Sequence, residues 1–116
     1  MEKILLIDNK EYNLSFDLST LMEVEDTFDK PYHEIMSEIG KPDCSFMKRV
    51  KFVHAILSAC NDDMPTVKLL ARSFKNLADF TRAINEIGKH STRFFDVSNI
   101  AEAHVPTSGE DGKENP

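Results

Sequence analysis

Four histidines are the first candidates in this sequence for metal binding or catalysis. They are His33, His54, His90 and His104. Each stands in a different predicted element, and none belongs to the HExxH pattern of zinc proteases or lies at zinc-ligand spacing from a cysteine. We interpret them as surface or boundary residues, with His54 the only one placed near a predicted core.

A run of acidic side chains is the nearest approach to a metal site. Its members are Glu23, Glu25, Asp26 and Asp29. A calcium-binding loop needs oxygen ligands at alternate positions around a glycine, which this segment lacks. Because neighbouring carboxylates on a helix mostly face solvent, we predict no metal site here.

Patterns for a nucleophile or for phosphate binding are also missing from the sequence. No serine lies in a GxSxG turn, and the four glycines form no phosphate-binding loop. Cys44 and Cys60 stand apart without a CxxC pattern, which is typical of reduced thiols in an intracellular protein. We therefore predict no catalytic residue, no cofactor and a protein that is not an enzyme.

The charge of the 116-residue chain argues against nucleic acid as its main partner. The net charge is −6, whereas proteins that bind phosphate backbones are usually basic. Residues 1–43 carry 4 Lys against 11 acidic residues, residues 44–95 carry 9 Lys and Arg against 4, and residues 96–116 carry 1 Lys against 5. This segregation indicates electrostatic contacts within the fold or between copies, unless the middle block only forms solvated helix faces.

The apolar segments are too short for export or for a membrane. Residues 4–7 form an apolar run of four, which is shorter than a signal peptide requires. No run approaches the roughly 20 residues that span a bilayer. The sequence thus predicts a cytoplasmic protein without membrane contact.

Hydrophobic periodicity predicts an α+β fold that is mostly α. Residues 3–16 form a hairpin with a turn at residues 9–11, and Tyr12, Leu14 and Phe16 share its apolar face. A hairpin alone is marginal in water, so it docks on the helices or pairs with the edge of another copy. A bundle of four to five short helices follows, at about residues 18–28, 32–39, 45–60, 66–75 and 77–90.

One domain is predicted to span residues 1–104. The last helix of the bundle is expected to end near Gly88, a common helix stop signal, although Phe94, Phe95 and Ile100 could support one or two further helical turns. Residues 105–116 are acidic and have no apolar side chain after Val105, so we expect a flexible, disordered tail.

A surface for another protein is the remaining functional feature. The chain has 8 Phe and 5 Met, and methionine side chains adapt to varied partners, although each one could instead fill a gap in the core. We predict a partner-binding surface on the third helix and the helices after it. Its residues are Met47, Lys48, Val50, Lys51, Phe74 and Phe80, which could equally belong to the core.

The order of the predicted strands, helices and turns resembles that of a known protein family. A strand of sequence YNLSFD (residues 12–17) leads into the helix LSTLMEVEDTF (residues 18–28), followed by a short helix, a longer apolar helix with small residues, and the polar turn NDDMPT (residues 61–66). Over residues 3–90 this resembles the tail assembly chaperones of long-tailed, siphovirus-type bacteriophages and prophages.

The resemblance implies a protein that coats the tape measure protein, keeps it soluble and helps to recruit tail tube subunits. It further implies action in the cytoplasm of the bacterial host and absence from the mature virion. The segregated charge of the chain, with acidic ends and a basic middle, would let copies self-associate along the partner. A helical groove containing Met and Phe would suit this role, since a tape measure helix exposes apolar stripes that aggregate when uncovered.

Two other functions stay open from the sequence. A small helical adaptor or transcription regulator could present a weak basic face to nucleic acid. That face would comprise Lys48, Arg49, Lys51, Lys68 and Arg72. A structural subunit of the virion or its connector is the other alternative.

Overall fold

The N-terminal hairpin is built around a two-residue turn. In the computed structural model, which describes the backbone of residues 2–103 and the side chains of residues 3–95, β1 (Glu2–Ile7) pairs antiparallel with β2 (Lys10–Ser15). Asp8 and Asn9 connect them with φ angles of 52° and 64°. Both angles are left-handed, as in a type I′ turn, and Asp and Asn tolerate this region better than most residues. The turn predicted at residues 9–11 was therefore placed too late, because Lys10 and Glu11 already belong to β2.

Five helices follow the hairpin, which confirms the predicted α+β fold. They are α1 (Leu18–Phe28), α2 (Tyr32–Ile39), α3 (Phe46–Cys60), α4 (Val67–Ser73) and α5 (Leu77–Ala103). Local caps fix four of the starts, because a side chain there accepts a hydrogen bond from the backbone N–H three residues later. The capping residues are Asp17, Ser45, Thr66 and Asn76.

Gly88 predicted an end of the last helix near residue 90, but α5 continues through this glycine to Ala103. A glycine inside a helix costs only about 1 kcal/mol relative to alanine, which buried neighbours can offset. Ile87, His90 and Ser91 on this part of α5 are all buried, and the Ser91 hydroxyl lies 3.0 Å from the Tyr32 hydroxyl of α2. Tertiary packing thus overrides the local stop signal.

One hydrophobic cluster joins the hairpin to the helices. The inner face of the hairpin, including Leu5 and Leu14, packs against α3 and α5. α3 is central, because Phe52, Val53 and Ile56 are at most 1% exposed and α3 contacts α1, α4, α5 and β2. The predicted tail at residues 105–116 lies outside the described residues.

Candidate docking groove

A groove of about 550 Å³ runs along the outer side of α3, between α1 and the start of α4. We call it the α1–α3 groove. Its lining residues are Glu23, Thr27, Phe28, Ser45, Met47, Lys48, Lys51, His54, Ala55, Ser58 and Val67. The groove is open to solvent and mixes apolar surface with charged side chains, as a protein-binding surface does.

The α1 wall of the groove is fixed at both ends. At its start, the Asp17 carboxylate accepts hydrogen bonds from the Ser19 hydroxyl and the Thr20 N–H, and these bonds lower the pKa of Asp17. At its end, Asp29 adopts a left-handed conformation (φ 56°), and its N–H donates to the Glu25 carbonyl. The Glu25 carboxylate in turn accepts from the Tyr32 N–H at 2.8 Å, which joins α1 to α2.

The α3 wall is held by contacts with α2. The Arg49 guanidinium donates to the carbonyl oxygens of Ile39 (3.2 Å) and Lys41 (2.6 Å). Glu38 accepts from the ammonium groups of Lys30 (2.7 Å) and Lys48 (2.6 Å). These hydrogen bonds, that of Lys30 first, lower the pKa of Glu38 to about 2.

His54 contributes to the shape of the groove. Its Nε2 lies 2.7 Å from the Pro65 carbonyl oxygen, and its Nδ1 lies 3.3 Å from the Ser58 hydroxyl. Because a carbonyl can only accept, Nε2 carries a proton and donates it. The imidazole therefore ties α3 to the loop before α4.

Three of the six predicted partner-binding residues come together in this groove. Met47 is 62% exposed, Lys51 is exposed and Lys48 is half-buried. Met47 stands at the mouth with a flexible apolar side chain. Lys51 has no acidic partner among the described residues, whereas Lys48 is already paired with Glu38.

The other three predicted residues belong to the core. Val50 and Phe80 are buried, and the Phe74 ring packs edge-on against Phe80 with 5.0 Å between ring centres. These side chains are occupied by contacts within the chain, so the groove does not include them. Val50 and Phe80 belong to the hydrophobic core, and Phe74, which directly follows α4, packs against that core.

Three further large apolar side chains are exposed on α1 and at the start of α3. Leu18 and Met22, one turn apart on α1, are 69% and 64% exposed, and Phe46 at the start of α3 is 57% exposed. Met36 and Met64 are partly buried against the core.

The remaining chemistry-bearing residues form no second site in the described part of the chain. No group of three His, Cys, Asp or Glu there could hold a metal ion, and Cys44 and Cys60 are free. Two of the five basic residues considered for nucleic-acid binding already have partners within the chain: Arg49 donates to the Lys41 carbonyl, and Lys48 is paired with Glu38. No described helix combines the length and apolar character needed to cross a membrane.

Comparison with known proteins identifies no relative. No family model matches the sequence, and no curated protein or solved structure matches it either. The geometry of the groove is therefore the main guide to function.

Proposed function

We propose that this protein is an assembly chaperone whose α1–α3 groove binds an apolar stripe of a long helical protein. The observation that carries the proposal is the groove itself, in which the exposed Met47 stands at the mouth and Phe28 and Val67 add apolar lining. Apolar side chains in such a group mark interaction surfaces, and methionine adapts to helices of different sequence and register.

The chemistry of the groove also favours an amphipathic helix as the occupant. An apolar stripe would lie along Met47, Phe28 and the stem of Lys51, while the Lys51 ammonium remains at the rim. Glu23 on the opposite wall supplies a negative rim. A helix with an apolar face and charges of both signs beside it fits this arrangement.

The resemblance to phage tail assembly chaperones suggests which long helical protein this partner is. We propose that it is the tape measure protein, kept soluble in the host cytoplasm while tail tube subunits are recruited, and that the chaperone leaves before the virion is complete. A reading frame for a very long helical protein immediately downstream of the gene would accord with this proposal.

Co-expression with that long protein tests the proposal directly. We expect the wild-type chain to raise the soluble fraction of the tape measure protein and Met47→Asp to abolish most of the gain, because a charge at the groove mouth opposes apolar contact. Leu77→Asp is the matched control, since Leu77 is 60% exposed but lies outside the groove. Equal solubility of the long protein with and without the wild-type chain would contradict the proposal.

A further inference from the structure

The two edges of the hairpin differ in how their backbone groups are satisfied. The outer edge of β2 is covered by the end of α3. The Asn61 side chain accepts from the Asn13 N–H and donates to the Asn13 carbonyl, both at 2.9 Å. The Cys60 thiol lies 3.3 Å from the Ser15 nitrogen and 3.2 Å from its carbonyl oxygen. The Asn61 amide thus takes the place of a neighbouring strand.

No comparable hydrogen bonds cover the outer edge of β1 among the described residues, although α5 packs beside this strand. Because Asn13 points its backbone groups away from β1, its cross-strand neighbour Ile4 points its own away from β2, and Leu6 does the same two residues later. No hydrogen-bond partner for these outward groups occurs among the residues that the structure describes. The side chains of Ile4 and Leu6 are also 50% and 62% exposed.

We propose that this edge pairs with β1 of a second copy of the chain. The two strands would run antiparallel about a two-fold axis and join two hairpins into a four-stranded sheet. Native proteins normally block an open apolar edge with charge, a bulge or a covering segment, and here only β2 is blocked. The surface is independent of the α1–α3 groove, so the proposed function does not depend on it.

A second copy fits the edge better than an unrelated strand because β1 is complementary to itself. The register that places Ile4 opposite Leu6 of the second copy covers both exposed apolar side chains of each strand. The same register places Leu5 opposite Leu5 of the second copy on the two-fold axis, so apolar residues meet at the centre of the two joined strands.

Sedimentation of the full-length protein over a range of concentrations tests the proposal. We expect a monomer–dimer equilibrium, and we expect Leu6→Lys to raise its Kd at least about tenfold, because a charged edge residue opposes strand pairing. Leu77→Lys is the matched control, because it changes an equally exposed leucine outside β1 and should leave the Kd unchanged. Circular dichroism verifies that both variants are folded.

Amide hydrogen exchange locates the interface. At concentrations that favour the dimer, the N–H groups of Ile4 and Leu6 should gain protection, while that of Leu5, already bonded to β2, changes little. A chain that stays monomeric at all concentrations would overturn the proposal. So would a dimer that Leu6→Lys leaves intact, or protection of Ile4 and Leu6 that appears only when another protein is added.

Discussion

At the scale of single residues, Glu38 shows how charge holds the walls of the groove. Its carboxylate accepts from two ammonium groups, those of Lys30 before α2 and Lys48 on α3. Its pKa falls from 4.5 to about 2 on folding. A carboxyl group whose pKa is lowered in the folded protein contributes stability above its unfolded pKa and loses it as the pH falls through the folded one.

Replacing this carboxylate should therefore have a pH-dependent effect. We expect Glu38→Gln to be less stable than the wild type at neutral pH, with the difference disappearing as the pH falls from 4.5 towards 2. Urea unfolding at a series of pH values measures it, and added salt should reduce it. Glu11→Gln is the matched control, because it changes an exposed carboxylate of β2 that has no ion pair among the described residues. A difference that is constant over this pH range would contradict the expectation.

At the scale of elements, the length of α5 gives a separate prediction. A Cβ at position 88 would meet nothing within 4 Å, and the residue lies inside the helix. We expect Gly88→Ala to raise the free energy of unfolding by about 0.5–1 kcal/mol, because alanine loses less backbone entropy on folding. Thermal unfolding followed by circular dichroism measures the gain. A loss of stability would instead indicate that the helix ends at Gly88.

The starts of the helices could be predicted from sequence, whereas the end of α5 could not. Ser45 and Thr66 cap helices through bonds to residues three positions away, so their signal is local. Continuation through Gly88 depends on Ile87 and Ser91 being buried against distant elements. Hydrophobic periodicity reports which residues share a helix face, but not how far tertiary contacts extend the helix.

The sequence also predicts only part of the candidate site. Met47, Lys48 and Lys51 lie together because they fall on one side of α3, which the sequence shows. Val50 and Phe80 belong to the apolar stripe, and the sequence alone could not decide whether that stripe faces the core or a partner. The wall from α1 depends on how two helices pack, for which no local signal exists.

At the scale of the whole molecule, the single hydrophobic cluster couples the hairpin to the helices. Leu14 of β2 is fully buried and belongs to the same cluster as Ile87 of α5. An isolated two-stranded hairpin is marginal in water, so its stability comes from this shared core. We therefore expect hairpin and helices to unfold together in one transition.

Truncation of Leu14 tests this coupling. We expect Leu14→Ala to lower the free energy of unfolding by about 2–5 kcal/mol and to shift the whole transition, because the cavity opens inside the shared core. Circular dichroism follows the helices, and backbone amide signals of β2 in NMR spectra follow the hairpin. Leu77→Ala, at a leucine that is 60% exposed, should stay within about 0.5 kcal/mol of the wild type. Loss of the hairpin signals in the Leu14 variant, with unchanged stability of the helices, would contradict this expectation. The hairpin would then be an independent unit, and something other than the shared core would have to stabilise its open edge.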